Sequence, residues 1–405
     1  MSARVWISAA ALLAAAGTAG AAPVLIDHRN VDVTQLALPQ IDRAKAALHI
    51  AYGHTSHGSQ LTDGMAGLVG FANGGGKGLA LPANAFAWNN GGSGGALDLH
   101  DYAMGGDVGY YPDWVQNTTN YLNNSANSNV NVVIWSWCGQ MTGKYSGGIL
   151  SNEYLLPMAE LEQRYPHVAF VYMTGHVDIG DDANNKAACE AIRAWCSVSN
   201  RILYDFNDVE HHDPDGTYYE FVDDGCSVYA GAGGSVVGNW ATEWQAAHVQ
   251  NVDWYDCGSA HSQPLNANLK AYAAWALWCR LGADLDRDGL ADAWEERHGG
   301  TGQFGGGTND FDHDGATDWE EYVLNSAPTN AGPRFAITDI APTNVPAPEF
   351  ATSTGRVYSL KACDDLVAGD WSSVTNRPGT GATMRLEDPT PVNGSRAYRV
   401  EVSAP

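Results

Sequence analysis

Positive charge is scarce. The 405-residue chain carries 21 Lys and Arg against 46 Asp and Glu, a formal charge of −25. Such a polyanion gains nothing by counterion release on nucleic acid or an anionic membrane, so those partners are excluded. Long apolar runs are also lacking. Past the N-terminus no stretch reaches the roughly 20 residues that span a bilayer. The cysteines include no C-x-x-C pair, which removes the usual structural zinc spacing. Apolar residues are not in deficit: 44% hydrophobic and 10% aromatic content supports packed cores and rules out global disorder.

The N-terminus carries one basic residue, Arg4, then a short apolar run from Val5 to Gly17, then Ala19-Gly20-Ala21. This order predicts a secretory signal peptide over residues 1–21 and an exported, soluble mature chain. Export permits disulfides. Six cysteines (Cys138, Cys189, Cys196, Cys226, Cys257, Cys279) precede an acidic segment and Cys363 follows it. The odd count leaves one thiol over, and Cys363 is the candidate. Cys189 and Cys196 fall on an expected helix, about 10 Å apart along its axis, too far to bridge each other.

Residues 22–282 alternate apolar strand-like runs with helical patterns. The runs are Leu48–Tyr52, Val130–Trp135, Val168–Met173 and Arg201–Asp205; the helices are Leu155–Tyr165, Asn184–Ser197 and Asn266–Leu281. Runs apolar on both faces suit parallel strands between helix layers. The expected fold class is therefore α/β, a three-layer sandwich with a parallel sheet. The Gly- and Asn-rich stretch from Asn73 to Gly109 reads as a site-forming loop region. Residues 283–325 are an acidic repeat segment. Residues 333–405 alternate between turn signals and read as a small antiparallel β-sandwich.

Within the acidic segment, the 38 residues from Asp284 to Glu321 hold 12 acidic and 2 basic side chains. Asp284, Asp286, Asp288, Gly289 and Glu295 fit the twelve-residue EF-hand calcium loop, and Asp310, Asp312, Asp314, Gly315 and Glu321 fit it again. A hard cation wants six to eight oxygens, and Gly at the sixth position permits the turn that gathers them. Leu290 and Ala316 would give backbone carbonyls, Asp292 and Asp318 would fill the ninth position, and Glu295 and Glu321 would close each site. A Gly-rich stretch, not a helix, precedes the second loop. The pair resembles the tandem acidic repeats of dockerins and thrombospondin type-3 modules, which implies structural Ca2+ that stiffens a linker.

Four segments carry the remaining chemistry. Tyr52-Gly53-His54-Thr55-Ser56-His57-Gly58-Ser59 ends the first apolar run, where a serine between small residues can be exposed at a strand-to-helix turn. Trp137-Cys138-Gly139-Gln140 follows the second run and Gly175-His176 the third. Asp256-Cys257-Gly258-Ser259-Ala260-His261 precedes the last helix. Parallel α/β sheets place their sites at such carboxyl ends. Ser56 could instead merely cap the following helix. The cluster His211-His212-Asp213 with Asp205, Asp208 and Glu210 reads as a solvated loop, with a second metal site as the alternative. Trp135, Trp137, Trp240 and Trp244 could stack on sugars, although core packing is the default use of tryptophan.

This order of motifs resembles SGNH (GDSL-type) hydrolases over roughly residues 46–281. The resemblance implies Ser56 as nucleophile, His261 as its base, and Asp256 as the carboxylate that orients the base. It implies oxyanion donors at Ser56, Gly139 and Gln140, with His54, His57 and His176 as supporting groups. The match departs from the family in its first motif, Gly-His-Thr-Ser in place of Gly-Asp-Ser. It departs again three residues before His261, where Gly258 stands for the usual Asp. The implied function is a secreted serine esterase or deacetylase acting on carbohydrate esters. Two other classes remain open. One is a non-catalytic, calcium-stiffened carbohydrate-binding or cell-surface protein. The other is a metal-dependent hydrolase that uses His54, His57, His176 and His261.

Overall fold

The computed structural model describes residues 6–7, 23–299, 304, 309–332, 335–340, 347–366, 369–389 and 396–403. The chain divides into two compact units: Ala22–Leu285, and Asp286–Pro405 together with Met1–Ala21. Of the expected signal segment only Trp6–Ile7 is described, paired in parallel with Ala397 and Tyr398. The rest of that reading lies outside the described residues.

Seven strands form the sheet of the larger unit: β1 (Leu25–Ile26), β2 (His49–Gly53), β3 (Trp88–Asn89), β4 (Leu97–His100), β5 (Val132–Trp135), β6 (Ala169–Met173) and β7 (Ile202–Tyr204). Their order is β1-β7-β6-β5-β2-β4-β3, and every neighbouring pair is parallel. Alternate side chains serve two separate cores. Ile50, Tyr52, Val132, Ile134, Val171 and Tyr204 face one; Ala51, Val133, Trp135, Phe170, Tyr172 and Leu203 face the other. This two-faced burial explains why the strands read as continuous apolar runs. Helices α1 (Leu38–Ala47), α2 (Ser59–Asn73) and α5 (Pro264–Leu281) pack in the first core. Helices α3 (Leu156–Arg164) and α4 (Asp182–Val198) pack in the second. The larger unit is thus an α/β core of three layers. Helix α5 is apolar almost all round because it is buried almost all round.

The four strands expected from sequence form within a residue or two of their expected ends. The Asn73–Gly109 stretch is not simply a loop: it contains β3 and β4. These strands are too short to show a period. Asp98 in β4 is buried and held by His49 and by the Gly91 N–H, so a charge interrupts the apolar signal. Trp135, Trp137, Trp240 and Trp244 are all buried, so packing and not sugar stacking is their use. The cluster expected as a solvated loop is buried too. His211, His212 and Asp213 lie within the fold, Arg193 pairs with Asp205, and Glu210 pairs with Lys270. Every carboxylate there that burial would strand has a partner.

All seven cysteines are free thiols, so the structure contains no disulfide framework. Five are buried, with Cys189 and Cys196 on the inner face of α4. Among the described residues no helix is long and apolar enough to cross a membrane.

In the smaller unit, two short helices, Asp292–His298 and Asp318–Leu324, each begin inside an acidic loop. Leu290, Trp294 and Phe304 pack with Trp319 and Tyr322 between them. Small antiparallel sheets follow. Val357–Cys363 pairs with Ser372–Pro378 and with Ala397–Ser403. Pro348–Ala351 pairs with Thr383–Arg385. Phe350, Tyr358, Leu360, Leu386, Tyr398 and Val400 form their common core.

Candidate active site

Strands β2, β5 and β6 end side by side, and the turns beyond them bring Ser56, Cys138 and His176 to one rim. The turn after β2 closes tightly. A Cβ on Gly58 would stand 2.4 Å from both His54 Cβ and Ser136 Oγ, so only glycine fits between this turn and the next. Gly58 also holds the N-cap position of α2. Ser56 therefore does not cap the helix, and its hydroxyl is left for other contacts.

His261 arrives from the turn before α5. Its Nε2 lies 3.0 Å from Ser56 Oγ although the residues are 205 positions apart. The ring is exposed, and the backbone holds φ at +65°. A non-glycine residue in that region costs energy and is often found where function dictates the geometry. The turn is anchored from below: Gln60 Nε2 donates to Ala260 O at 2.5 Å, and Asn266 Nδ2 donates to Ser262 Oγ at 2.7 Å. Asp256 is exposed and makes no hydrogen bond to His261. Two residues of backbone separate it from the Gly258 position that the resemblance would use.

The carboxylate in the site is Asp224, which sequence reasoning missed. It lies 3.1 Å from His57 Nε2. The Nδ1 of the same ring lies 3.3 Å from Cys138 Sγ, and Cys138 Sγ lies 3.4 Å from Ser56 Oγ. His57 is stacked between two other imidazoles, His176 at 3.9 Å and His261 at 4.4 Å. Burial pulls His57 below the ordinary imidazole value, and Asp224 only partly offsets this. Burial alone would raise the Asp224 carboxyl, but the His57 hydrogen bond and the surrounding imidazoles outweigh it and leave the group below its ordinary value. Both directions give a neutral ring beside an ionised carboxylate at neutral pH. Nε2–H then donates to Asp224, and the Nδ1 lone pair faces Cys138. No spacing signal marks Asp224, which reaches the site across 167 positions.

His54 and His176 take supporting places. His54 is buried, with Nδ1 2.9 Å from Thr55 O and Nε2 2.7 Å from Asp101. His176 Nδ1 donates to Val177 O at 2.6 Å, and a Cβ on Gly139 would stand 3.8 Å from its Nε2. Gly139 adopts φ +86°, which turns the loop after β5 back over the rim. Among the described residues no acceptor takes the N–H of Ser56 or of Gly139. The Gln140 side chain is engaged: Oε1 accepts the Cys138 N–H at 3.2 Å and Nε2 faces Asp107 at 3.4 Å. Asp107 also accepts from Thr55 and Gly109. Gln140 thus ties the two turns together.

His57, Asp224 and His261 offer atoms within 4.8 Å of one another. Imidazole lone pairs lie in the ring plane, however, and the His57 and His261 planes are stacked only 17° from parallel. An ion between them would sit out of both planes, so the arrangement suits proton transfer better than coordination.

The acidic loops share one backbone course. Arg287 and His313 at the fourth position and Gly289 and Gly315 at the sixth all have positive φ. Oxygens of Asp286, Asp288 and Glu295 cluster, as do those of Asp310, Asp312 and Asp314. Burial, with neighbouring carboxylates, pushes Asp288 up to about 6 and Glu321 up to about 7. Glu321 Oε2 is buried without a hydrogen-bond partner. Asp318 is turned toward the Phe311 N–H at 2.9 Å and the Asn309 amide, a backbone-bracing role beside its expected ninth position.

Comparison of the chain with known protein families, with curated proteins and with solved structures finds no match.

Proposed function

We propose that the larger unit is a serine-type acyl hydrolase of the SGNH kind, exported from the cell, with Ser56 as nucleophile and His261 as base. The observation that carries this reading is the 3.0 Å approach of His261 Nε2 to Ser56 Oγ at the carboxyl ends of a parallel sheet. His261 takes the hydroxyl proton as Oγ attacks the acyl carbon, then returns it to the leaving alcohol. The unclaimed N–H groups of Ser56 and Gly139 supply an oxyanion site. Asp256 has no part in this, and Ser56–His261 works as a dyad.

An ester or acetyl group on carbohydrate is the substrate class we favour. The buried tryptophans do not argue for it. Exposed tyrosines do: the Tyr102 ring centroid lies 4.0 Å from that of His54, and Tyr110 and Tyr111, just past the Gly-rich stretch, are exposed. Such rings can stack on sugars. A Ser56→Ala variant should fold normally by circular dichroism and lose p-nitrophenyl acetate hydrolysis by roughly a thousandfold or more. Undiminished turnover would remove the reading.

We assign structural calcium to the acidic loops. Asp286, Asp288 and Glu295 would hold one ion, and Asp310, Asp312, Asp314 and Glu321 the other. Buried carboxylate oxygens without protein donors, at Asp288, Asp310, Asp312 and Glu321, fit a hard cation. Its charge would offset the burial, and the repulsion from neighbouring carboxylates, that raise Asp288 and Glu321.

A further inference from the structure

The site holds a thiol that the dyad does not use. Cys138, His57 and Asp224 form a line: Sγ to Nδ1 is 3.3 Å, and Nε2 to Oδ2 is 3.1 Å. A nucleophile, a base within reach and a third group that orients the base is the arrangement activated side chains require. By this standard Cys138 is better served than Ser56: Asp224 is hydrogen-bonded to His57, whereas it only comes within 4.8 Å of a His261 ring nitrogen. The base is also fixed in place, since His57 is buried and stacked on both faces. Cys138 itself is only half-buried, and it stands 3.4 Å from Ser56 Oγ, so an acyl group reaching one nucleophile reaches the other.

We propose that Cys138 is a second catalytic nucleophile of this site, acting on thioesters, whose acyl carbon a thiolate attacks readily. The thiol proton passes to His57 Nδ1, and the imidazolium is held against Asp224. A bond forms from Sγ to the acyl carbon, and the bond from that carbon to the leaving sulfur breaks. His57 returns the proton to the leaving group. Water, giving its proton to His57, then cleaves the new thioester and restores the thiol. The Gly139 N–H remains open to the oxyanion, whereas the Cys138 N–H is already taken by Gln140. The substrate class rests on the reading of the site as an acyl-transfer site; the reactive thiol rests on geometry alone.

The test uses the full chain and two reagents. Iodoacetamide labelling at neutral pH, followed by peptide mapping, should modify Cys138. His57→Gln should slow that labelling by about tenfold or more, while the other half-buried thiol, Cys257, keeps its rate. Asp224→Asn, at a half-exposed position, gives a second arm should His57→Gln fail to fold. In Ser56→Ala, acid-quenched incubation with phenyl thioacetate should leave one acetyl group on the Cys138 peptide. Labelling of Cys138 indifferent to both substitutions, or no acetyl group on Cys138, would overturn the proposal. If Cys138→Ala abolishes ester hydrolysis while Ser56→Ala does not, the Ser56 reading falls and this one stands.

Discussion

At the scale of single residues, a site is a set of protonation states. Ser56 and His261 were readable from the sequence because each sits in a short run of small residues at an element boundary. Asp224 was not readable, because nothing local distinguishes a carboxylate that will meet an imidazole from one that stays in water. The adjacent Asp223 shows this: it instead accepts from the Ser227 N–H and the Tyr229 hydroxyl. Two histidines make a pH prediction. Burial holds His211 and His57 below the ordinary value of 6.5. The unfolded chain therefore binds more protons than the native one once the pH falls below that value, and stability is lost on acidification. The urea midpoint should be lower at pH 5.5 than at pH 7.5, and His211→Asn should flatten the difference. An unchanged midpoint would contradict the burial of these rings as neutral groups.

At the scale of elements, the strand runs were legible because burial on both faces forces continuous apolar sequence. Strands β3 and β4 were hidden by their shortness and by Asp98. What places the site, though, is a polar network under it. Lys270 on α5 is fully buried, 2.5 Å from Glu210, in contact with Gln60, and over the Phe206 ring. Glu210 accepts the Val177 N–H at 2.7 Å, and Gln60 holds Ala260. One cation thus ties the turn of His176 to the turn of His261. Residue type alone would make Lys270 a surface residue, since lysine is rarely fully buried unless paired. Removing it strands a buried carboxylate, which typically costs about 3–5 kcal/mol. Lys270→Met should show a loss of that order in urea unfolding and a drop in esterase activity from the loosened His261 turn. Full stability in this variant would show that the network is not needed.

At the scale of the whole molecule, the two units answer to different conditions. The larger unit closes on its own apolar cores. The acidic loops of the smaller unit gather carboxylates around Leu290 and Trp294 with few cations in the sequence to balance them, which the spacing alone made legible. Calcium at about 100 times its dissociation constant should add about 2.7 kcal/mol per site to the smaller unit. Two calorimetric transitions are expected, of which only the smaller unit's falls on chelation, with hydrolysis of p-nitrophenyl acetate retained. Loss of hydrolysis on chelation would move the chemistry to a metal, and no thermal shift would remove the calcium assignment. The proposed chemistry depends most on Ser56 as a nucleophile activated by His261. A fluorophosphonate probe, followed by peptide mapping, tests that most directly. The label should fall on Ser56 in the native chain and be lost in a folded His261→Gln variant. A label absent from Ser56, or one that persists in His261→Gln at the native rate, would contradict it.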